Sequence, residues 1–145
     1  MKFNNPLFCK LKIVRKTVDE IVNNSNVLQD DDELKLAVGA NEVWFFLLLL
    51  LINSSVAADI KIGFSVPSGC TLLWTSSVTI ERYYNEESTL MLSGYATDSI
   101  SRFIPGFIMN GSTTGNLQLR WAQGIQEASN SKVLANSCLF AIKLA

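Results

Sequence analysis

The chain has 145 residues, of which 48% are hydrophobic and only 17% charged; this excludes an intrinsically disordered protein and fits one domain with much surface to bury. Lys and Arg number 12 against 13 Asp and Glu, so there is no basic excess to hold nucleic acid and no acidic tail. Histidine is absent, which removes Ser-His-Asp triads, imidazole metal sites and imidazole acid–base chemistry. Three cysteines, Cys9, Cys70 and Cys138, are too scattered for a zinc ribbon or a C-x-x-C motif. They read as reduced thiols that pack as small hydrophobes; a Cys70–Cys138 bridge is open to the chain, but the spacing does not argue for it.

The chain opens with a segment, residues 1–14, that reads as an arm outside the core. The first sixteen residues carry Lys2, Lys10, Lys12, Arg15 and Lys16 but lack the apolar stretch of a secretory signal. A single domain over 15–145 follows. Strand signals dominate it. Leu34, Leu36 and Val38 alternate with Lys35 and Ala37; Ile60, Ile62, Phe64 and Val66 alternate with Lys61, Gly63 and Ser65; Leu117, Leu119 and Trp121 alternate with Gln118, Arg120 and Ala122. A period of two marks a strand with one buried face. Turn chemistry falls between the runs, at Gly39-Ala40-Asn41, Pro67-Ser68-Gly69, Asn85 to Ser88 and Asn110-Gly111, the last expected to open a six-residue hairpin loop. Strands are expected at 11–18, 26–28, 34–38, 43–53, 59–66, 71–79, 88–94, 101–109, 116–124 and 132–144. About 8–10 short strands without helices predict an all-β fold, an antiparallel β-sandwich or jelly roll.

Two strands break the alternation. Every residue from Val43 to Ile52 is apolar, and Phe103 to Met109 is apolar at both parities apart from Gly106. A helix needs roughly 20 such residues to span a membrane, and the flanks Asp30-Asp31-Asp32-Glu33 and Glu42 suit neither a span nor a signal peptide, although Asn53 to Asp59 imitates a cleavage site. The run reads as a strand buried on both faces. In a two-sheet sandwich one of those faces would lie bare, and monomers do not tolerate a large bare apolar patch. A second copy of the chain is the expected cover, with internal closure by loops as the alternative. The expected subunit contact uses Trp44, Phe46, Leu48 and Leu50 with Ile104 and Ile108.

Other constellations yield less chemistry. The run Asp30 to Glu33 has neither the glycine nor the distal glutamate of an EF-hand loop, since those places hold Lys35 and Asn41, and it reads as a solvated turn capping the next strand. Glu86 and Glu87 are adjacent, so on a strand they would point to opposite faces and could not flank one glycosidic bond. No Gly-x-Ser-x-Gly elbow or phosphate-cradling glycine loop occurs. No cofactor or metal is expected, and no catalytic residue is assigned. Trp44, Trp74, Trp121, Tyr83, Tyr84 and Tyr95 offer rings on which a sugar could stack, but aromatics in strands are more often core; the pair Tyr83 and Tyr84, beside an expected loop, is the candidate ligand contact.

Three sets of residues carry a resemblance. They are Thr17 to Ser25 with Leu28 to Leu34 and Ala40 to Trp44; Asp59 to Gly69; and Leu117 to Gln123 with Val133 to Leu139. In this order they resemble a family of short virion-associated structural proteins of tailed phages, over roughly residues 15–145. The resemblance implies a small jelly roll akin in shape to the tumour-necrosis-factor-like trimers, located on the capsid surface or in a tail fibre. It brings no catalytic residue. The segment Phe45 to Leu51 departs from the family in being uniformly apolar, which points to an unusually apolar subunit contact.

The expected function is therefore a non-enzymatic virion protein, a homotrimeric capsid decoration protein made in the host cytoplasm. Its partners would be the major capsid protein or tail proteins, with no nucleic acid and no membrane. The basic segment Met1–Lys16, the arm and its junction with the domain, is the expected lattice contact, being opposite in charge to Asp30–Glu33. A receptor- or glycan-binding tail-fibre head is the alternative; it would use Tyr83 and Tyr84, but the chain lacks a shaft repeat.

Overall fold

The computed structural model of the chain describes residues 10–76, 84–95 and 98–145. Among them lie eleven strands and no helix: β1 (Leu11–Arg15), β2 (Glu20–Asn23), β3 (Gln29–Val38), β4 (Val43–Asn53), β5 (Ile60–Ser65), β6 (Thr71–Trp74), β7 (Leu90–Leu92), β8 (Ile100–Met109), β9 (Gly115–Gln123), β10 (Asn130–Val133) and β11 (Cys138–Lys143). All the pairings are antiparallel.

The strands form two sheets. The smaller has the order β3-β9-β5-β7. In the larger, β4 is central. It pairs with β8 along nearly its whole length on one side, and with β11 and then the end of β10 on the other. Outside these lie β6 against β8, β1 against β11 and β2 against β10. From β3 to β10 each successive strand changes sheet. That alternation, with sequence neighbours separated in space, makes the sandwich a jelly roll.

The alternating residues fill the space between the sheets. Leu34, Leu36, Val38, Ile60, Ile62, Leu117, Leu119 and Trp121 from the smaller sheet meet Trp44, Phe46, Leu48, Leu50, Ile104 and Ile108 from the larger. Phe64 stands edge-on between Phe46 and Trp74, with ring centroids 5.5 and 5.1 Å away. Gly106 lies opposite Phe46, and a Cβ there would come within 2.4 Å of the Phe46 ring. Glycine at this position is what lets a full phenyl ring fit beneath β8.

Several boundaries differ from expectation, each for a local reason. The loop after Asn110 is no hairpin: it carries the chain from β8 in one sheet to β9 in the other. Its Asn110 amide donates to the carbonyls of Gly39 and Thr113, at 2.7 and 2.8 Å, which ties it to the β3–β4 turn. Residues 132–144 form two strands, because Asn136 takes a positive φ of 72° and turns the chain between them. The early strand lies at Glu20–Asn23 and not at 26–28. The sheet begins at Leu11, inside the segment expected to be an arm; residues 1–9 lie outside the described residues, as do 77–79 of the expected strand 71–79.

Candidate functional site

Both parities of β4 are apolar, so the backbone decides which faces inward. Trp44, Phe46, Leu48 and Leu50, with Ile104 and Ile108 of β8, are at most 1% exposed within the single chain. This corrects the expected subunit contact: these six side chains belong to the core between the sheets and reach no outer surface. The outward parity is Val43, Phe45, Leu47, Leu49 and Leu51, all half-buried, beside the exposed Phe103, Phe107 and Met109. Two signals mark this parity in the sequence. Asn53 ends it in β4 and Ser101 begins it in β8, and both are polar.

Registers arrange the outward residues in rows, because directly paired residues share a face. The first row crosses five strands as Leu11, Ile142, Phe45, Phe107 and Leu73. The second runs Ile13, Phe140, Leu47 and Pro105, and the third Arg15, Cys138, Leu49 and Phe103. Phe45 and Phe107 stack in a tilted pair at 5.2 Å. A shallow apolar dent of about 190 Å³ lies at the β6–β8 border, lined by Leu73, Trp74, Thr75, Pro105, Gly106 and Phe107. Arg15 is the one charge in these three rows. The outer face of the smaller sheet is different in kind: Lys35, Asn116, Gln118, Arg120, Lys61 and Ser65 lie at its outward positions, with Met91 an exposed apolar side chain among them. One face of the sandwich is thus built for water and the other is not.

Charged groups gather at the edges. At the β3–β4 turn the Glu42 carboxylate accepts hydrogen bonds from the Gly39 amide at 2.7 Å and Trp44 Nε1 at 2.9 Å, and pairs with Lys143 at 3.0 Å. The Gly39 amide and the Lys143 ammonium hold its pKa down at about 2. A depressed carboxylate stabilises the fold above its ordinary pKa of 4.5, and that contribution is lost as the pH falls toward about 2. Glu42→Gln should therefore cost about 1–2 kcal/mol at neutral pH and flatten the loss of stability between those two pH values, read by urea denaturation across pH. An unchanged acid slope would contradict this role.

The acidic run is not a solvated turn. Asp31 is fully buried, and it sits where β3 shifts register against β9, between Asp30 and Lys35. Its Oδ1 accepts the amides of Glu33 and Leu34, at 3.0 and 2.7 Å, so the carboxylate satisfies the backbone of its own bulge. Both its oxygens also meet the Lys16 ammonium, at 3.0 and 2.9 Å. Lys16 is fully buried as well, and pairs with Glu20 at 2.9 Å. Glu20 accepts in turn from Gln29, Trp121 Nε1 and the Asp32 amide. The opposite charges of the basic arm and the acidic run therefore meet inside one chain, so Lys16 is not free for a lattice contact. Burial pushes the Asp31 carboxyl up, against the pull of its hydrogen bonds.

The remaining candidates are structural where they are described. Tyr84 bridges to Trp74 and its ring lies 4.8 Å from the indole, packed against the core; Tyr83 lies outside the described residues. Cys70 and Cys138 are buried free thiols, and burial raises both pKa values; Cys9 lies outside the described residues. No helix among the described residues is long and apolar enough to cross a membrane.

No protein-family model and no curated protein matches the chain. Among solved structures it is similar to the Eiger tumour necrosis factor from S. frugiperda, at 13% identity and a TM-score of 0.39, over 90% of this chain and 94% of that one.

Proposed function

We propose that the chain is a non-enzymatic structural protein of a phage particle, a capsid decoration protein that self-associates as a trimer through the outer face of its larger sheet. The observation that carries this reading is the apolar face itself: two adjoining rows of Leu, Ile, Phe and Pro, five and four strands wide, opposite a sheet whose outer face is mostly polar. Removing such a face from water is worth about 25 cal/mol per Å² of apolar area, so association needs no reaction and no ligand. The place on a particle rests on the ordered sequence blocks described above, and a trimer suits a site of threefold symmetry on a capsid. Loops and the segment before β1 are left to grip the lattice. Mass spectrometry and immunogold labelling of particles from the phage that encodes the chain test the reading. The expected result is the protein on the capsid surface; particles without it would overturn the assignment to a virion.

A further inference from the structure

We infer that copies of this chain join opposite edges of the larger sheet, the basic edge at Lys10 of one copy against the acidic edge at Glu86 and Glu87 of the next, about an axis that runs along the strands. The inference rests on the self-association proposed above and adds its orientation and its polar partners.

Register places the two edges at one height. Leu72 of β6 pairs with Ile108, Ile108 with Trp44, and Trp44 with Lys143. The Lys143 amide donates to the carbonyl of Lys10 at 3.0 Å, so Lys10 closes that line at the β1 edge. At the other end the Leu72 amide points off the sheet toward Glu86 Oε2, at 3.5 Å. Tyr84 pairs with Trp74 on the same side, which places residues 84–87 along the outer edge of β6. Lys10, Glu86 and Glu87 are all exposed.

The charges at the two ends are opposite. Among the described residues Lys12 interacts with two neighbouring ammoniums, Lys10 and Lys143, and with the Glu42 carboxylate, which Lys143 pairs at 3.0 Å; burial, and then the Lys10 ammonium, hold the Lys12 pKa below its ordinary value. At the far edge stand the two carboxylates. A twofold or threefold axis along the strands brings the β1 edge of one copy to the β6 edge of the next at equal height, so unlike charges meet. A twofold axis across the strands would instead set β1 on β1, with Lys10 facing the region of Arg15. Like charges would then be brought together along that edge, which costs affinity. The apolar rows supply the area and the edge charges select the orientation.

Sedimentation velocity of the full chain and its charge variants tests this. Lys10→Glu and Glu86→Lys should each weaken self-association by about tenfold at low salt, and the double variant should return to within about threefold of the starting protein. Glu87→Lys, one exposed residue along, should repeat the effect of Glu86→Lys. Single variants that associate like the starting protein, or a double variant weaker than either single, would overturn the edge pairing while leaving self-association intact. A starting protein that is monomeric at every concentration would overturn the self-association itself.

Discussion

Lys16→Met is expected to cost about 3–5 kcal/mol, the loss that goes with breaking a buried ion pair from one side. Among the described residues the ammonium is the one cation paired with Glu20, Asp31 and Glu33, at 2.9, 2.9 and 3.9 Å from their nearest oxygens. It leaves the β1–β2 connection, which belongs to the larger sheet, and reaches the bulge of β3 in the smaller one. Methionine fills the volume but leaves a buried carboxylate without a counter-charge. The pH dependence should invert with it. In the native chain the Glu20 carboxyl is held low by the Asp32 amide and the Lys16 ammonium, against burial, so its contribution is present above the ordinary pKa of 4.5 and lost below it. Without Lys16, the Asp31 carboxyl, already pushed up by burial, rises further, and burial lifts the Glu20 carboxyl as well. The variant should then gain stability as the pH falls from about 7 to about 5. Urea denaturation across this range reads both effects. A variant as stable as the native chain, or one with the same acid slope, would show that Lys16 does not hold the sheets together.

The second large effect separates two adjacent leucines. Leu48→Lys buries an ammonium at a position 1% exposed, between the sheets and with no acidic partner among the described residues of the core cluster, and should leave no folded protein. Leu49→Lys points the other way, into the row with Cys138 and Phe103. It should yield a folded monomer with an unchanged far-ultraviolet circular dichroism spectrum. If Leu49→Lys also abolishes folding, the outer face is core; if it remains associated, subunits do not meet there.

Much of this architecture is legible in the sequence, and the misreadings share a cause. Where one face meets water, as at Leu34 to Val38 or Leu117 to Trp121, the alternation reads out the strand and its buried side together. In β4 both faces are apolar, so periodicity reveals the strand and its unusual burden but not which half faces the core. The answer lies in the polar residues at the ends of the run, Asn53 and Ser101, and in Gly106, which yields space to the inward Phe46. Lys16 and Asp31 were concealed differently. A charged residue reads as exposed by default, and only the fold brings residues fifteen positions apart to 2.9 Å. The turn after Asn110 carries hairpin residues but joins two sheets, because local turn chemistry does not encode which sheet the next strand enters.

The most direct test of assembly through the larger sheet is the solution mass of the purified chain, measured by light scattering over a dilution series. A mass near three times 16.0 kDa that persists on dilution and collapses to 16.0 kDa in Leu49→Lys is the predicted result. A native chain that scatters as a 16.0 kDa monomer at every concentration would contradict it, and the rows from Leu11 to Leu73 would then need some cover other than a second copy.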